Sequence, residues 1–340
     1  MLDTHNSEKR YRLVFLATLA VVFVFRLWYM TTLPLSGDES YHWEWSRHLD
    51  LGYYDHPGLT AYLIWASTTL FGGSTEFTLR FPALLLMTAT SLLAYLLARL
   101  IMRQRGSSLQ EESRAGCLAG LVVVFVPVYA VFSMYISTDP PLICFWMLSL
   151  FVFWKALNGS SWRLWLLAGL CYGLTLQCKF LSFFLGLSLG AFVLFSRDDR
   201  KWLLRPQPYL AGLVALLIFS PFLYWNAKNQ WATFMFNFVS RQDRSLNLLH
   251  VPEFLGSQML ALSPGILIMA LVRLWQRLRP AGQERESRGS LYLALASAVP
   301  LAYFLYESCR QQVGLHWPAA GWLGILILAS TWAARDAHWH

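Results

Sequence analysis

Acidic side chains crowd one short stretch of the 340-residue sequence, from Ser36 to Leu59. Asp38 and Glu39 are adjacent near its start, and Asp55 lies near its end. A carboxylate at the boundary between water and an apolar phase is costly to desolvate, and its raised proton affinity suits a general base. Aromatic residues and histidines are interspersed with these acids: Tyr41, His42, Trp43, Trp45, His48, Tyr53, Tyr54 and His56. Two interpretations are open, a catalytic loop or a solvated loop whose aromatic rings lie at a membrane surface.

A further acid, Asp139, lies in the short segment YISTDPPL, Tyr135 to Leu142. Thr138 or Asp139 could cap a helix here, because Thr and Asp favour helix N-termini and proline suits the first turn. An acid at the same depth as Asp38 could instead bind a substrate hydroxyl group or a metal ion. Both interpretations stay open at this point.

Basic residues complete the candidate site. Lys179 lies between two apolar runs, and Arg241 and Arg244 lie in the segment FVSRQDR. Arg and Lys are common ligands of phosphate, so a group of them beside acids predicts a phosphorylated substrate. Taken alone, each of these residues is more often an interfacial anchor that reaches lipid headgroups. His316, in the segment VGLHWPAAGW, could contact a phosphate or a hydroxyl group, or simply cap a helix.

The rest of the sequence is hydrophobic. Hydrophobic side chains make up 56% and charged ones only 14%, whereas soluble proteins carry about 25% charged residues. This composition excludes a single water-soluble globule and a disordered chain. The five cysteines form no CxxC pair, and most lie in apolar runs, where cysteine behaves as a small hydrophobic residue. Neither a zinc site nor a disulfide framework is predicted.

Apolar runs long enough to cross a bilayer recur along the whole chain. A membrane-spanning helix needs roughly 20 residues, so about ten such runs predict an all-α polytopic membrane protein. One further apolar run, 60–72, is too short to span and predicts an interfacial or re-entrant helix. The predicted spans are 13–33, 81–101, 115–134, 140–157, 162–178, 180–195, 209–225, 257–275, 291–306 and 317–334.

The basic residues predict the orientation of these spans. With the N-terminus inside, most of the 27 Lys and Arg residues fall at cytoplasmic ends, as the positive-inside rule requires. Both termini are therefore predicted inside, and the acids outside, in a catalytic loop over 34–80 and a second loop over 226–256. The net charge of +8 is mainly a topology signal and predicts no nucleic acid partner. A single membrane domain over 1–340 is expected, without a C-terminal soluble domain.

Several motifs in a fixed order carry a resemblance. The acidic pair, then YYDHPGL, TDPPL and a late HWPA resemble the integral-membrane glycosyltransferases of the GT-C class. The similarity is to the bacterial branch related to protein mannosyltransferases and to the lipid A aminoarabinose transferase. It implies a GT-C-like bundle that transfers a sugar, with inversion, from a polyprenyl-phosphate donor to a lipid, glycan or protein acceptor. The reaction would take place on the non-cytoplasmic face of a bacterial inner membrane.

The resemblance also implies roles for residues. Asp38 matches the catalytic base with Glu39 beside it, and Asp139 matches the second acid. Substrate binding is predicted for Tyr54, Asp55, His56, Lys179, Arg241, Arg244 and His316. No cofactor is required, although a divalent cation could bridge Asp38 or Asp139 to the phosphate. The chain departs from the family in its short C-terminus and in DHPG, where DHPP is usual.

Two other functions compete with this one. A transporter or flippase of lipid-linked sugars would place ionisable groups near mid-membrane, whereas the predicted spans hold few charges. A noncatalytic scaffold gives no reason for acids, histidines and bases to gather on one side. Other membrane-bound transferases would show a metal-ligand set or a His-acid motif in a soluble domain, and neither is visible.

Overall fold

The computed structural model describes residues 2–159, 161–240, 246–269, 272 and 288–335. These residues form helices and connecting loops, and within them the only β pairing is an isolated bridge between Gly52 and Pro57. The helices are α1 (Leu2–Tyr29), α2 (Gly37–Arg47), α3 (Leu59–Leu70), α4 (Glu76–Gln104), α5 (Leu109–Phe125), α6 (Pro127–Phe132), α7 (Asp139–Asn158), α8 (Trp162–Cys178), α9 (Phe183–Phe195), α10 (Pro206–Lys228), α11 (Ala232–Met235), α12 (His250–Leu262), α13 (264–269), α14 (Arg288–Ser308) and α15 (Ala319–Arg335).

The long apolar helices follow the predicted spans. Within the described residues, five helical segments are long and apolar enough to cross a membrane, namely Ser7–Tyr29 of α1 and the whole of α4, α7, α10 and α14. Shorter apolar helices include α3, α15 and the segment Phe180–Phe195. Most of the segment 60–72 forms a helix, α3, and its predicted position at the membrane interface stays a prediction. A second helix of the 34–80 loop, α2, was not predicted.

Two predicted spans are interrupted, in each case beside a proline. In 115–134, α5 ends at Phe125 and Val126 is extended before Pro127, which starts α6. In 257–275, α12 ends at Leu262, and Ser263 has a φ of 74°. A residue before proline disfavours helical geometry, and proline cannot donate the next helical hydrogen bond. Continuous helices over these two runs were therefore a wrong prediction.

Helix α7 lies at the centre of the bundle. In its apolar window 78% of the residues are buried, against 17% in α1 and 22% in α10. It packs against α4, α8 and α15, while α1 packs against α5 at the periphery. The exposed apolar faces of α1 and α10 suit contact with lipid chains. Because α7 begins at Asp139, that acid lies at one end of the central helix.

Candidate active site

An open cavity of about 260 Å³ lies at the end of the bundle where α7 begins. Its wall takes side chains from α2, from the loop before α3, from the junction after α8, and from residues 303–317. Six of the predicted site residues meet in this wall: Asp38, Asp55, His56, Asp139, Lys179 and His316. These residues come from distant parts of the sequence, and the fold brings them to one cavity.

Asp38 is the exposed member of the acidic pair. It lies in the first turn of α2, a helix that begins because the Ser36 side chain accepts a hydrogen bond from the Glu39 amide. The Tyr135 hydroxyl donates to Asp38 Oδ2 at 3.2 Å, and Ser36 Oγ donates to the Tyr135 oxygen at 3.3 Å. Burial raises the pKa of Tyr135, so its hydroxyl keeps its proton near neutral pH. Asp38 therefore faces the cavity with one of its oxygens oriented by a neighbour.

Glu39 differs sharply from its neighbour. Its side chain is 1% exposed, and the cavity wall formed by the described residues does not include it. Both carboxylate oxygens are bound by Arg80, with Nε–Oε1 and Nη2–Oε2 distances of 2.6 Å. Glu39 also completes the capping box by accepting from the Ser36 amide, and it accepts from the Ile136 amide at 3.3 Å. Glu39 thus ties α2 to α4 and to the segment before α7.

Arg80 joins several elements at once, a role that the sequence did not reveal. Besides its pair with Glu39, its guanidinium donates to the carbonyl oxygens of Met30, Leu33 and Pro34. These bonds satisfy carbonyl groups left free where α1 ends. The only signal in the sequence was an arginine near the start of an apolar helix, which also fits a lipid-facing anchor.

Asp139 and Lys179 form a buried pair at the cavity. Lys179 Nζ donates to Asp139 Oδ1 at 3.2 Å, and His316 Nε2 lies 3.7 Å from Oδ2. Thr138 occupies the N-cap position of α7, but its side chain makes no capping hydrogen bond. The carboxylate of Asp139 contacts a cation instead, at the helix end that favours negative charge. Pure capping therefore does not account for this segment.

The loop before α3 supplies Asp55 and His56. The Tyr41 hydroxyl donates to Asp55 Oδ1 at 3.2 Å, and burial together with the Asp55 charge raises the pKa of Tyr41 to about 12. Tyr54 is exposed and its ring packs 4.9 Å from that of Phe236, outside the described cavity wall. The loop therefore brings the acid and the histidine to the cavity and leaves Tyr54 beside it.

Gly58 explains one departure from the family pattern. A Cβ atom on this residue would lie 2.8 Å from the backbone oxygen of Asp50. A larger residue, including the usual proline, would require the loop to move. DHPG in place of DHPP is therefore a local packing feature of this loop.

Most other residues of the cavity wall were not predicted, and among them are His42, Glu307 and Gln311. His42 is buried, and its Nδ1 donates to the Asp38 carbonyl oxygen at 2.6 Å. Burial lowers the pKa of His42, so the ring is neutral near pH 7. Arg241 and Arg244, predicted as phosphate ligands, lie outside the described residues.

The acids of the cavity do not form a metal cluster. Among the residues that the structure describes, no group of three or more His, Cys, Asp or Glu side chains could hold a metal ion. The ammonium group of Lys179 lies where a cation beside Asp139 Oδ1 would compete with it. A divalent cation at Asp38 or Asp139 stays a prediction.

Comparison with known proteins identifies the family. The family model described as dolichyl-phosphate-mannose-protein mannosyltransferase matches residues 55–225. The chain belongs to this family. The matched region of this mannosyltransferase-family chain contains Asp55, His56, Asp139 and Lys179, whereas Asp38 and Glu39 precede it.

Curated relatives extend the similarity to a larger share of the chain. The lipid A galacturonosyltransferase RgtD of Rhizobium johnstonii is 26% identical over 275 residues, which is 79% of this chain and 56% of RgtD. The undecaprenyl phosphate-alpha-4-amino-4-deoxy-L-arabinose arabinosyl transferase of Pseudomonas aeruginosa is 29% identical over 285 residues. The match covers 79% of this chain and 48% of that transferase. The chain spans about half the length of these curated relatives.

A solved structure shows the same fold. The crystal structure of ArnT from Cupriavidus metallidurans bound to undecaprenyl phosphate matches with a TM-score of 0.68 and 18% identity, covering 96% of this chain and 60% of that one. The predicted polytopic GT-C-like helical bundle is therefore confirmed. The resemblance to the lipid A aminoarabinose transferase branch is confirmed as well.

Proposed function

We propose that this chain is a glycosyltransferase that moves a sugar from a polyprenyl-phosphate donor to a lipid, glycan or protein acceptor, with inversion. One observation carries the proposal: an exposed carboxylate, Asp38, and a buried ammonium group, Lys179, share one cavity at the end of an apolar bundle. Such a reaction requires a base for the acceptor and positive charge for the departing phosphate. The name of the Pseudomonas aeruginosa relative, which includes undecaprenyl phosphate, supports this class of donor, and the name of RgtD supports sugar transfer.

The proposed reaction is a single displacement at the anomeric carbon. The acceptor hydroxyl oxygen attacks this carbon opposite the phosphate, and its proton passes to Asp38. The bond from the anomeric carbon to the phosphate oxygen breaks, and polyprenyl phosphate leaves with the electron pair. Lys179 donates hydrogen bonds to that phosphate. A positioned base contributes on the order of 10² to 10⁴ in rate, and fixed charges at the leaving oxygens contribute a comparable factor.

The other predicted residues take supporting roles in this proposal. Glu39 is a positioning residue, because its carboxylate is saturated by Arg80. Asp139 holds Lys179 at the cavity. The predicted sugar and phosphate contacts are Tyr54, Asp55, His56 and His316, together with Arg241 and Arg244, which are proposed from the sequence alone.

A small apolar pocket of about 20 Å³ adjoins the cavity and marks the side proposed for the lipid part of the donor. It shares Lys179, Leu181, Phe304 and Trp317 with the cavity and is lined further by apolar side chains of α7, α14 and α15. A polyprenyl chain that lies along this side would carry its phosphate to Lys179. With the basic residues on the cytoplasmic side, the cavity would open on the non-cytoplasmic face of a bacterial inner membrane, with both termini inside.

Release of polyprenyl phosphate tests the proposal. Purified protein would be incubated with a panel of polyprenyl-phosphate sugars and membrane lipid acceptors, and released polyprenyl phosphate and glycosylated acceptor would be quantified. We expect both products in equal amounts, with the opposite anomeric configuration in the product. Movement of a labelled lipid-linked sugar across vesicle bilayers without any release would contradict the proposal and indicate a flippase.

A further inference from the structure

We propose that Glu307 selects the transferred sugar: it accepts hydrogen bonds from hydroxyl or ammonium groups of that sugar and excludes sugars that carry a carboxylate. This inference rests on the proposed glycosyltransferase function and adds a specificity residue that neither the motifs nor the family match assigns. It also separates this chain from RgtD, a galacturonosyltransferase by name.

Glu307 is a buried acid in the cavity wall. It lies in the last turn of α14, and its side chain is only 4% exposed. The C-terminal end of a helix carries partial negative charge and so disfavours a carboxylate. Neither burial nor helix position therefore accounts for an acid at this place.

The neighbours of Glu307 do not neutralise its charge. The Gln311 side-chain amide donates a hydrogen bond to Oε1. Within the described part of the chain, no Lys, Arg or His nitrogen forms an ion pair with it. Lys179, the ammonium group of the cavity, pairs with Asp139 instead. A buried carboxylate without a cationic partner destabilises the fold, so the acid needs another explanation.

A bound sugar provides that explanation. A carboxylate can accept about four hydrogen bonds, and Glu307 has capacity left after the bond from Gln311. Hydroxyl and ammonium groups of a sugar can donate to it. A phosphate diester and a prenyl chain have no such hydrogen to give, so the sugar is the part of the donor that fits.

The charges around the cavity predict which sugars are excluded. The described wall contains four carboxylates, Asp38, Asp55, Asp139 and Glu307, against one lysine, Lys179. A sugar carboxylate placed beside Glu307 would be a like charge at short range, which is unfavourable in a partly buried site. Neutral and amino sugars meet no such repulsion.

The test compares donors within each enzyme variant. Three donors on the same polyprenyl phosphate would be used: a neutral hexose, the corresponding amino sugar and the corresponding uronic acid. For the wild type we expect kcat/KM with the uronic acid to be at least about tenfold lower than with the other two. Glu307→Gln keeps the shape of the side chain and removes its charge. This variant should reduce the ratio of kcat/KM with the neutral hexose to kcat/KM with the uronic acid by about tenfold. The ratio of kcat/KM values for two donors, measured on one preparation of enzyme, does not depend on the fraction of enzyme that is folded.

Glu253→Gln is the matched control. Glu253 is exposed, contacts the Gln312 side chain at 3.2 Å and does not line the described cavity wall, so its removal should leave the donor ratio unchanged. A wild type that uses the uronic donor as well as the neutral one overturns the inference and leaves the proposed function intact. So does an unchanged ratio in Glu307→Gln. Absence of transfer from all three donors overturns the proposed function itself, and the inference with it.

Discussion

Two buried ion pairs lie close to the cavity, and they differ in how fully their charges are used. Arg80 binds both oxygens of Glu39 at 2.6 Å, and its other N–H groups donate hydrogen bonds to backbone carbonyl oxygens. Lys179 makes one hydrogen bond of 3.2 Å to Asp139, although an ammonium group can donate three. The first pair lies behind the cavity, and the second lies in its wall.

This difference indicates that the first pair has a structural role and the second a chemical one. An ion pair whose hydrogen-bonding groups are all used cannot bind a substrate, and removal of one partner leaves the other as an unpaired buried charge. A pair with unused donors at a cavity can bind a substrate without being broken. The same contrast holds inside the acidic dipeptide, where Glu39 is enclosed and Asp38 is exposed with a single neighbour contact.

Substitution in the acidic pair is expected to give the largest effect. Asp38→Asn should lower kcat about 10² to 10⁴-fold, because the base is lost, and leave the melting temperature in detergent within a degree or two. Glu39→Gln is the adjacent control. It should lower the melting temperature, because Arg80 loses its charged partner. Near-normal transfer by Asp38→Asn would contradict the assignment of the base.

Arg80→Met is expected to destabilise the fold by about 3–5 kcal/mol, since it leaves Glu39 charged and buried. Arg80→Lys should recover only part of this loss, because lysine cannot bind two carboxylate oxygens and three carbonyls at once. Denaturant unfolding in a mild detergent measures both. Equal stability of all three proteins would show that the pair does not anchor α2 to α4.

Lys179→Met should lower kcat/KM about 10² to 10³-fold and weaken binding of free polyprenyl phosphate, because a fixed charge at the leaving group is lost. Lys201→Met, at an exposed position in the turn Arg200–Leu204, controls for the loss of one positive charge. Binding of polyprenyl phosphate that is equally strong in both variants would remove Lys179 from the phosphate site.

The sequence predicts the spans well because lipid imposes one requirement on every crossing helix: a long apolar run. The breaks at Val126 and Ser263 could not be predicted from their prolines alone, because Pro82, Pro221 and Pro300 lie inside the continuous helices α4, α10 and α14. The acidic pair and Asp139 were recognisable as motifs, since each lies in a short stretch with distinctive neighbours.

The partners of these acids could not be read from the sequence. Arg80 pairs with a residue 41 positions away, and Lys179 with one 40 positions away. Such pairs depend on how helices pack, and a lone arginine or lysine in an apolar run fits a lipid anchor equally well. Glu307 did carry a local signal, an acid in the last turn of an apolar helix, where negative charge is unfavourable.

Tyr135→Phe is expected to give the smallest effect, a loss of about fivefold in kcat. The Tyr135 hydroxyl is the group that orients Asp38, and one neutral hydrogen bond contributes about 1 kcal/mol. Tyr209→Phe is a suitable control, because that hydroxyl donates only to the Leu203 carbonyl, on an exposed surface near the start of α10. If Tyr135→Phe changed the melting temperature but not kcat, Tyr135 would belong with Arg80 and Glu39 rather than with the cavity. A loss of kcat at unchanged stability would instead extend the reactive region from Asp38 to the segment that begins α7.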